Sequence, residues 1–159
     1  MMCGSVQLHG FEMVRLSEEH TASVAELERL CFSTPISQKN LESILLGGIG
    51  AGFVCIETKS GTVAAYGGVM VAADEAQVLN VATHPGFRKM GLGRAIVNTI
   101  INHARSSGAE FITLEVRENN SAAIALYKSF DFYEVGRLKK YYKDPCEDAL
   151  ILKKELGSL

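Results

Sequence analysis

The sequence predicts an α+β fold: a mixed, mostly antiparallel sheet of about seven strands with a parallel centre, flanked by about four helices. Three observations carry that prediction. Apolar residues recur at helical spacing in the first third of the chain and again over residues 91–106. From Gly52 the period changes, and apolar, β-compatible runs follow one another. The separators Lys59-Ser60-Gly61 and Asp74-Glu75 are short and polar, so the runs they join read as antiparallel hairpins.

In chain order, residues 6–15 form a weak strand candidate. Ser17 reads as an N-cap with Glu18 and Glu19 in the first turn, where the helix dipole favours anions. Val24, Leu27 and Cys31 then share one face and predict a helix to about Leu30. Ser33-Thr34-Pro35 breaks it. Ser37 caps a second, short helix with Leu41, Ile44 and Leu45 on one side, and Gly47-Gly48 stops it. Strands are expected over residues 53–57, 63–72 and 76–83. A helix follows from about Gly91 to Ser106, with Leu92, Ile96, Ile100 and Ala104 at successive i+4 positions. Residues 111–116 form a strand, and Asn120 caps a helix running through Lys128. Residues 132–135, in a longer reading on to Tyr142, and residues 149–154 close the sheet.

Composition excludes several classes of function. At 159 residues the length predicts one domain, residues 1–159. Lys and Arg total 16 against 18 Asp and Glu, a net charge of −2 that lacks the basic excess of a nucleic-acid or membrane surface. With 47% hydrophobic and 21% charged residues the chain is too apolar for disorder. Cys3, Cys31, Cys55 and Cys146 form no C-x-x-C pair and have no His at zinc-ligand spacing, so neither a disulfide framework nor a metal site is expected. The thiols fit a reducing compartment. The longest apolar stretch, residues 63–73, is short of the ~18 residues that suggest a membrane span. The N-terminus has no basic segment followed by an apolar core, so no signal peptide is expected and the cytoplasm is the expected location. His9, His20, His84 and His103 are isolated and read as structural or surface groups.

The most informative segment runs from the strand over residues 78–83 into a turn carrying Arg88, Lys89, Met90, Gly91, Leu92, Gly93 and Arg94, and that turn opens a helix. Free amides at a helix start, flanking cations and two positions without a Cβ make an anion cradle, and a phosphate-bearing ligand is its natural occupant. Spacing excludes two familiar phosphate loops. A dinucleotide fingerprint from Gly91 would need glycine where Ile96 stands, and a Walker loop from Gly86 would need Lys-Ser/Thr where Leu92-Gly93 stands. What remains is R-x-x-G-x-G after a strand.

Arg88-Lys89-Met90-Gly91-Leu92-Gly93 resembles the acyl-coenzyme A signature of the GNAT N-acetyltransferases. Downstream, Leu114-Glu115-Val116-Arg117, Asn120 and Ala122-Ala123-Ile124-Ala125-Leu126-Tyr127 resemble the ribosomal-protein alanine N-acetyltransferase branch of that superfamily. Tyr141-Tyr142 and Glu147-Asp148-Ala149 extend the likeness, which is strong over residues 76–152 and only in outline before that. The resemblance implies the GNAT fold, acetyl-CoA as donor and a protein N-terminus as acceptor, that of an alanine-starting, small-subunit ribosomal protein. It implies that Glu115 is the base and Tyr127 the acid. It further implies that Val81, Ala82 and Thr83 offer backbone groups to the pantetheine arm, that residues 89–94 hold the pyrophosphate, and that Asn120 contacts the arm.

The residue types suit that reaction. An α-amine with a pKa of about 8 is mostly protonated at neutral pH, so a base must take one proton and an acid must protonate the departing thiolate. Phe111, Thr113 and Glu115 share one strand face, so the carboxylate can face a cleft. Asn120 and Tyr127 are two helical turns apart and point to one side of the helix. By the resemblance, the acceptor lies over Phe32, Pro35 and Ile36 in the early loop and over Tyr141 and Tyr142. Two departures stand out: Ile36 occupies the place of a usual Trp, and Asp131 that of a usual Gly before Phe132. Asp tolerates a left-handed backbone, so that turn is expected to survive. Two other readings share the motifs: a small-molecule amine acetyltransferase, and a non-catalytic acyl-CoA-binding module. Oligomeric state is not encoded in any of these features.

Overall fold

The computed structural model describes residues 8–157. Seven strands form one sheet in the order β1-β2-β3-β4-β5-β7-β6. They are β1 Phe11–Arg15, β2 Gly50–Glu57, β3 Val63–Ala72, β4 Glu75–Thr83, β5 Phe111–Arg117, β6 Tyr133–Lys143 and β7 Cys146–Glu155. Every neighbouring pair is antiparallel except β4 with β5. The four helices are α1 Thr21–Cys31, α2 Gln38–Leu45, α3 Leu92–Ser106 and α4 Ser121–Ser129. The expected order of elements is therefore the observed one; Val6 and Gln7 of the first strand candidate, and Cys3, lie outside the described residues.

Several element ends differ from the sequence expectation, each for a local reason. Ser17 and His20 form a capping box around a single 3-10 turn, Glu18–His20, and α1 begins only after it. Ser37 does cap α2, its hydroxyl accepting from the Asn40 amide at 3.2 Å. β2 starts at Gly50 because its pairing with β3 already begins at Gly50↔Met70. β7 starts at Cys146 because the hairpin pairs Lys143 with Cys146 and Tyr142 with Glu147. Asp131 sits at φ +69°, the left-handed turn expected of it.

Helices cover both faces of the sheet. On one face α3 lays Leu92, Ile96, Val97, Ile100 and Ile101 against β2 to β4, and α4 adds Tyr127. On the other, Val24, Ala25 and Leu27 of α1 and Leu41 and Leu45 of α2 pack on Val54, Tyr66 and Ala82. Each of the larger side chains, fully buried, contributes about 1.5–3 kcal/mol. Close approach on both faces depends on Gly67-Gly68 in β3. A Cβ on Gly67 would lie 2.4 Å from Ile96 of α3, and one on Gly68 would lie 2.9 Å from Leu45 of α2.

Candidate active site

β4 and β5 pair only from Glu75↔Phe111 to Gln77↔Thr113, and then separate. Beyond that point β4 keeps β3 on one side and β5 keeps β7 on the other. Their two facing edges thus carry backbone donors and acceptors that no strand satisfies. A bulge turns β4 away: Gly67 faces Val81 but Val69 faces Val78, so Leu79 and Asn80 together oppose Gly68. The extra residue increases local twist, and the strand bends out of the pair.

The gap is a cavity of about 230 Å³. Val78 to Val81 line it from β4, Leu114 to Arg117 from β5, and Asn120, Ala123 and Tyr127 from α4 and its start; Cys31, Phe32, Ser33, Thr34 and Tyr142 complete the wall. Glu115 faces it because β5 alternates: Ile112, Leu114 and Val116 are buried in the core, and the residues between them are half-buried on the opposite face. The side-chain amide of Gln77, in the last parallel pair, donates to the two Glu115 oxygens at 3.4 and 3.5 Å. Tyr127 is buried edge-on to Phe132, with ring centroids 5.5 Å apart. Burial first, and then Tyr142, holds its phenol well above the ordinary value, so it stays protonated at physiological pH. Burial likewise pushes Tyr142 up to about 12. Asn120 Oδ1 accepts from the Ala123 amide at 3.2 Å, which fixes the start of α4 beside the cavity.

The glycine turn lies at the α3 end of the gap. Lys89 and Gly91 both have left-handed backbone, φ +64° and +82°. The first bond of α3 runs from the Ala95 amide to the Gly91 carbonyl at 3.1 Å, so the amides of Leu92, Gly93 and Arg94 have no helical acceptor. A Cβ on Gly93 would lie 3.6 Å from both Leu126 and Thr83, which puts the helix start against α4 and β4. Arg88, Lys89, Met90 and Arg94 are exposed. The Arg94 guanidinium stacks 5.2 Å from the Phe130 ring centroid. Leu92 is a core side chain and can offer a ligand only its amide; Ala82 is likewise buried, on the α1 face. These groups fit a pyrophosphate: the helix-start amides of α3 lack helical acceptors, exposed Arg88, Lys89 and Arg94 flank them in the chain, and no Cβ projects at Gly91.

Of the expected acceptor residues, Phe32 and Tyr142 line the cavity. Tyr141 is half exposed and packs edge-on to Tyr142, centroids 5.0 Å apart, outside the lining. Pro35 is exposed, and Ile36 packs toward the α1–α2 core with its amide donating to Glu28 Oε1 at 2.8 Å. Glu28 is a residue that sequence reasoning missed. It is fully buried, and its carboxylate accepts from Asn80 Nδ2 at 3.1 and 2.9 Å and from the Tyr66 hydroxyl. Its signal was present: an acid beside Leu27 on the apolar side of α1, and an amide, Asn80, set among Val78, Leu79, Val81 and Ala82 of an apolar strand. Ser33 and Thr34 of the same early loop also line the cavity, as do Cys31, Asn80 and Arg117, to which the sequence assigned no role in the site.

A sheet split between its fourth and fifth strands, with a glycine turn opening α3 after the fourth, is the arrangement that the GNAT resemblance implies. The family model for the acetyltransferase (GNAT) family matches residues 21–132, and the chain belongs to that family. It is similar to the ribosomal protein bS18-alanine N-acetyltransferase of Salmonella typhimurium, 32% identical over 140 residues that span 86% of this chain and 92% of that one. The same-named enzyme of Escherichia coli K12 is 40% identical over 97 residues, 60% of this chain and 66% of that one. The crystal structure of the ribosomal-protein-S18-alanine N-acetyltransferase from Escherichia coli superposes with a TM-score of 0.84 at 31% identity, covering 94% of this chain and 96% of that one.

Proposed function

We propose that this chain transfers an acetyl group from acetyl-CoA to the N-terminal α-amine of a protein, an alanine-starting small-subunit ribosomal protein of the bS18 kind, in the cytoplasm. The observation that carries the reading is that Glu115 and Tyr127 line one cavity where β4 and β5 part, while the start of α3 at Gly93 abuts Thr83 at the end of β4. The relatives' names supply the acceptor. The edge of β4 at Val81, Ala82 and Thr83, which no strand covers, takes the pantetheine arm as an added strand. Asn120 borders that arm, and Arg88, Lys89, Arg94 and the amides of Met90 to Arg94 hold the pyrophosphate. The bound donor supplies a thioester carbonyl. Glu115, directly or through one water, takes a proton from the acceptor ammonium, and the freed amine bonds to the thioester carbonyl carbon. The C–S bond then breaks as Tyr127 gives its phenolic proton to sulfur, and the proton shed by the new amide nitrogen returns to Tyr127. Phe32, Pro35, Ile36, Tyr141 and Tyr142 flank the acceptor peptide. No direct contact with nucleic acid or membrane enters this reading, and no helix among the described residues is long and apolar enough to cross a membrane.

The test is thiol release from acetyl-CoA with alanine-starting peptides, the same peptides with other first residues, and small amines such as a polyamine or an aminoglycoside. Mass spectrometry then locates the acetyl group. Acetylation at the α-amine of alanine-starting peptides is the expected result. Turnover with small amines alone would favour the small-molecule reading, and binding without turnover the regulatory module.

A further inference from the structure

Arg117 follows the candidate base by two residues and lies on the same face of β5, at the outer end of the cavity. Its guanidinium holds four oxygen acceptors from three segments. Nη1 donates to the Pro145 carbonyl at 3.0 Å and to Glu147 Oε1 at 3.2 Å. Nη2 donates to the Asp144 carbonyl and to Ser33 Oγ, both at 3.1 Å. The same group lies 4.2 Å from the centroid of the Tyr142 ring. Glu147 passes the connection on, its second oxygen accepting from the Asn119 amide at 2.7 Å, next to the Asn120 cap. The ion pair is sheltered, with side-chain exposures of 24% for Arg117 and 9% for Glu147.

Among the described residues, Arg117 to Ser33 is the one hydrogen bond that joins the 32–37 loop to β5, β6 or β7. That loop is anchored on its other side by Glu28 to the Ile36 amide. We propose that Arg117 is a positioning residue for the acceptor: it clamps the 32–37 loop to the β6–β7 turn and fixes the Tyr142 ring, setting the width of the channel to Glu115. A rigid planar fork is the side chain able to hold four acceptors in two directions while stacking on an aromatic face; an ammonium is not. The inference rests on the transfer of acetyl to a peptide amine proposed above.

Three variants and two readouts test it. In Arg117→Ala the KM for an alanine-starting peptide should rise about tenfold or more, the change that accompanies loss of a well-placed interaction. The turnover number should stay within about twofold, with acetyl-CoA affinity unchanged. Arg117→Lys should fail to restore the peptide KM, because the charge is kept and the fork is lost. Ser33→Ala deletes only the bond across the channel, and should raise the peptide KM about threefold, a typical single hydrogen bond. Hydrogen exchange should quicken together at residues 32–37 and 142–147 in Arg117→Ala. A fall in turnover at constant peptide KM, full rescue by Lys, or unchanged exchange at residues 32–37 would overturn the proposal. Should the native chain acetylate no peptide at all, the functional reading fails while the exchange result still decides the clamp.

Discussion

Glu115 and Tyr127 owe their placement to different devices. Glu115 is aimed by strand alternation, and Tyr127 by its distance of two helical turns from the Asn120 cap. Glu115→Gln and Tyr127→Phe should each lower the turnover number about a hundredfold or more, the range for a lost general base or acid, with acetyl-CoA affinity within about twofold by calorimetry. Retained turnover in both would remove the mechanism. The pH sign for Tyr127 follows from its burial. A phenol held above its usual value of about 10 keeps its proton beyond that pH, so the turnover number should show no alkaline fall due to Tyr127 below about pH 10. A fall centred lower that disappears in Tyr127→Phe would contradict this. Glu28 makes the complementary stability prediction. Glu28→Ala leaves the Asn80, Tyr66 and Ile36 donors without their acceptor, at about 1–3 kcal/mol for each that stays buried. Denaturant unfolding should show a loss of roughly 3 kcal/mol or more, and Glu28→Gln, which keeps the shape, should lose less.

At the scale of single elements, the start of α3 and the bulge in β4 do most to shape the site. Gly91 at φ +82° admits no side chain without strain of roughly 1–2 kcal/mol, because a Cβ there crowds the following carbonyl. Gly91→Val should therefore shift the amides of residues 92–94 and abolish measurable acetyl-CoA binding; normal binding would count against the cradle. The turn was legible in the sequence because glycine spacing, cations and a following apolar helix are all local signals. The bulge was not. Leu79 and Asn80 read as ordinary strand residues, and only their joint opposition to Gly68 shows that the alternation slips by one. Tyr141 and Tyr142 make the same point. A pair of adjacent aromatics gives no indication of which one faces the cavity until the pairing Tyr142↔Glu147 is fixed.

Across the whole molecule the site exists because a continuous sheet is interrupted between two strands that are far apart in sequence. β4 and β5 are joined through α3, and three parallel pairs hold them at one end. A ligand filling the gap would offer partners to the two edges that no strand covers, so donor binding should stabilise the fold. At 100 times its Kd the donor adds about 2.7 kcal/mol. For a chain of this size that raises the melting temperature by roughly 5–10 °C. Glu115→Gln should keep the shift in a thermal melt and Gly91→Val should lose it. An unshifted melt for the native chain would mean that the cavity does not take the donor.

The sequence by itself determined the order of the strands and helices, the turn that opens α3, the Ser37 and Asn120 caps, and the residue types able to move a proton. Those are properties of periodicity, backbone preference and functional groups within a few residues of one another. Only the tertiary structure decided that β4 leaves β5 after Gln77, that Glu28 ties the early loop to the bulge, and that Arg117 spans the channel. Each of these joins residues distant in the chain, and such contacts depend on register and burial, which are fixed only when the whole sheet has closed around its two helical layers.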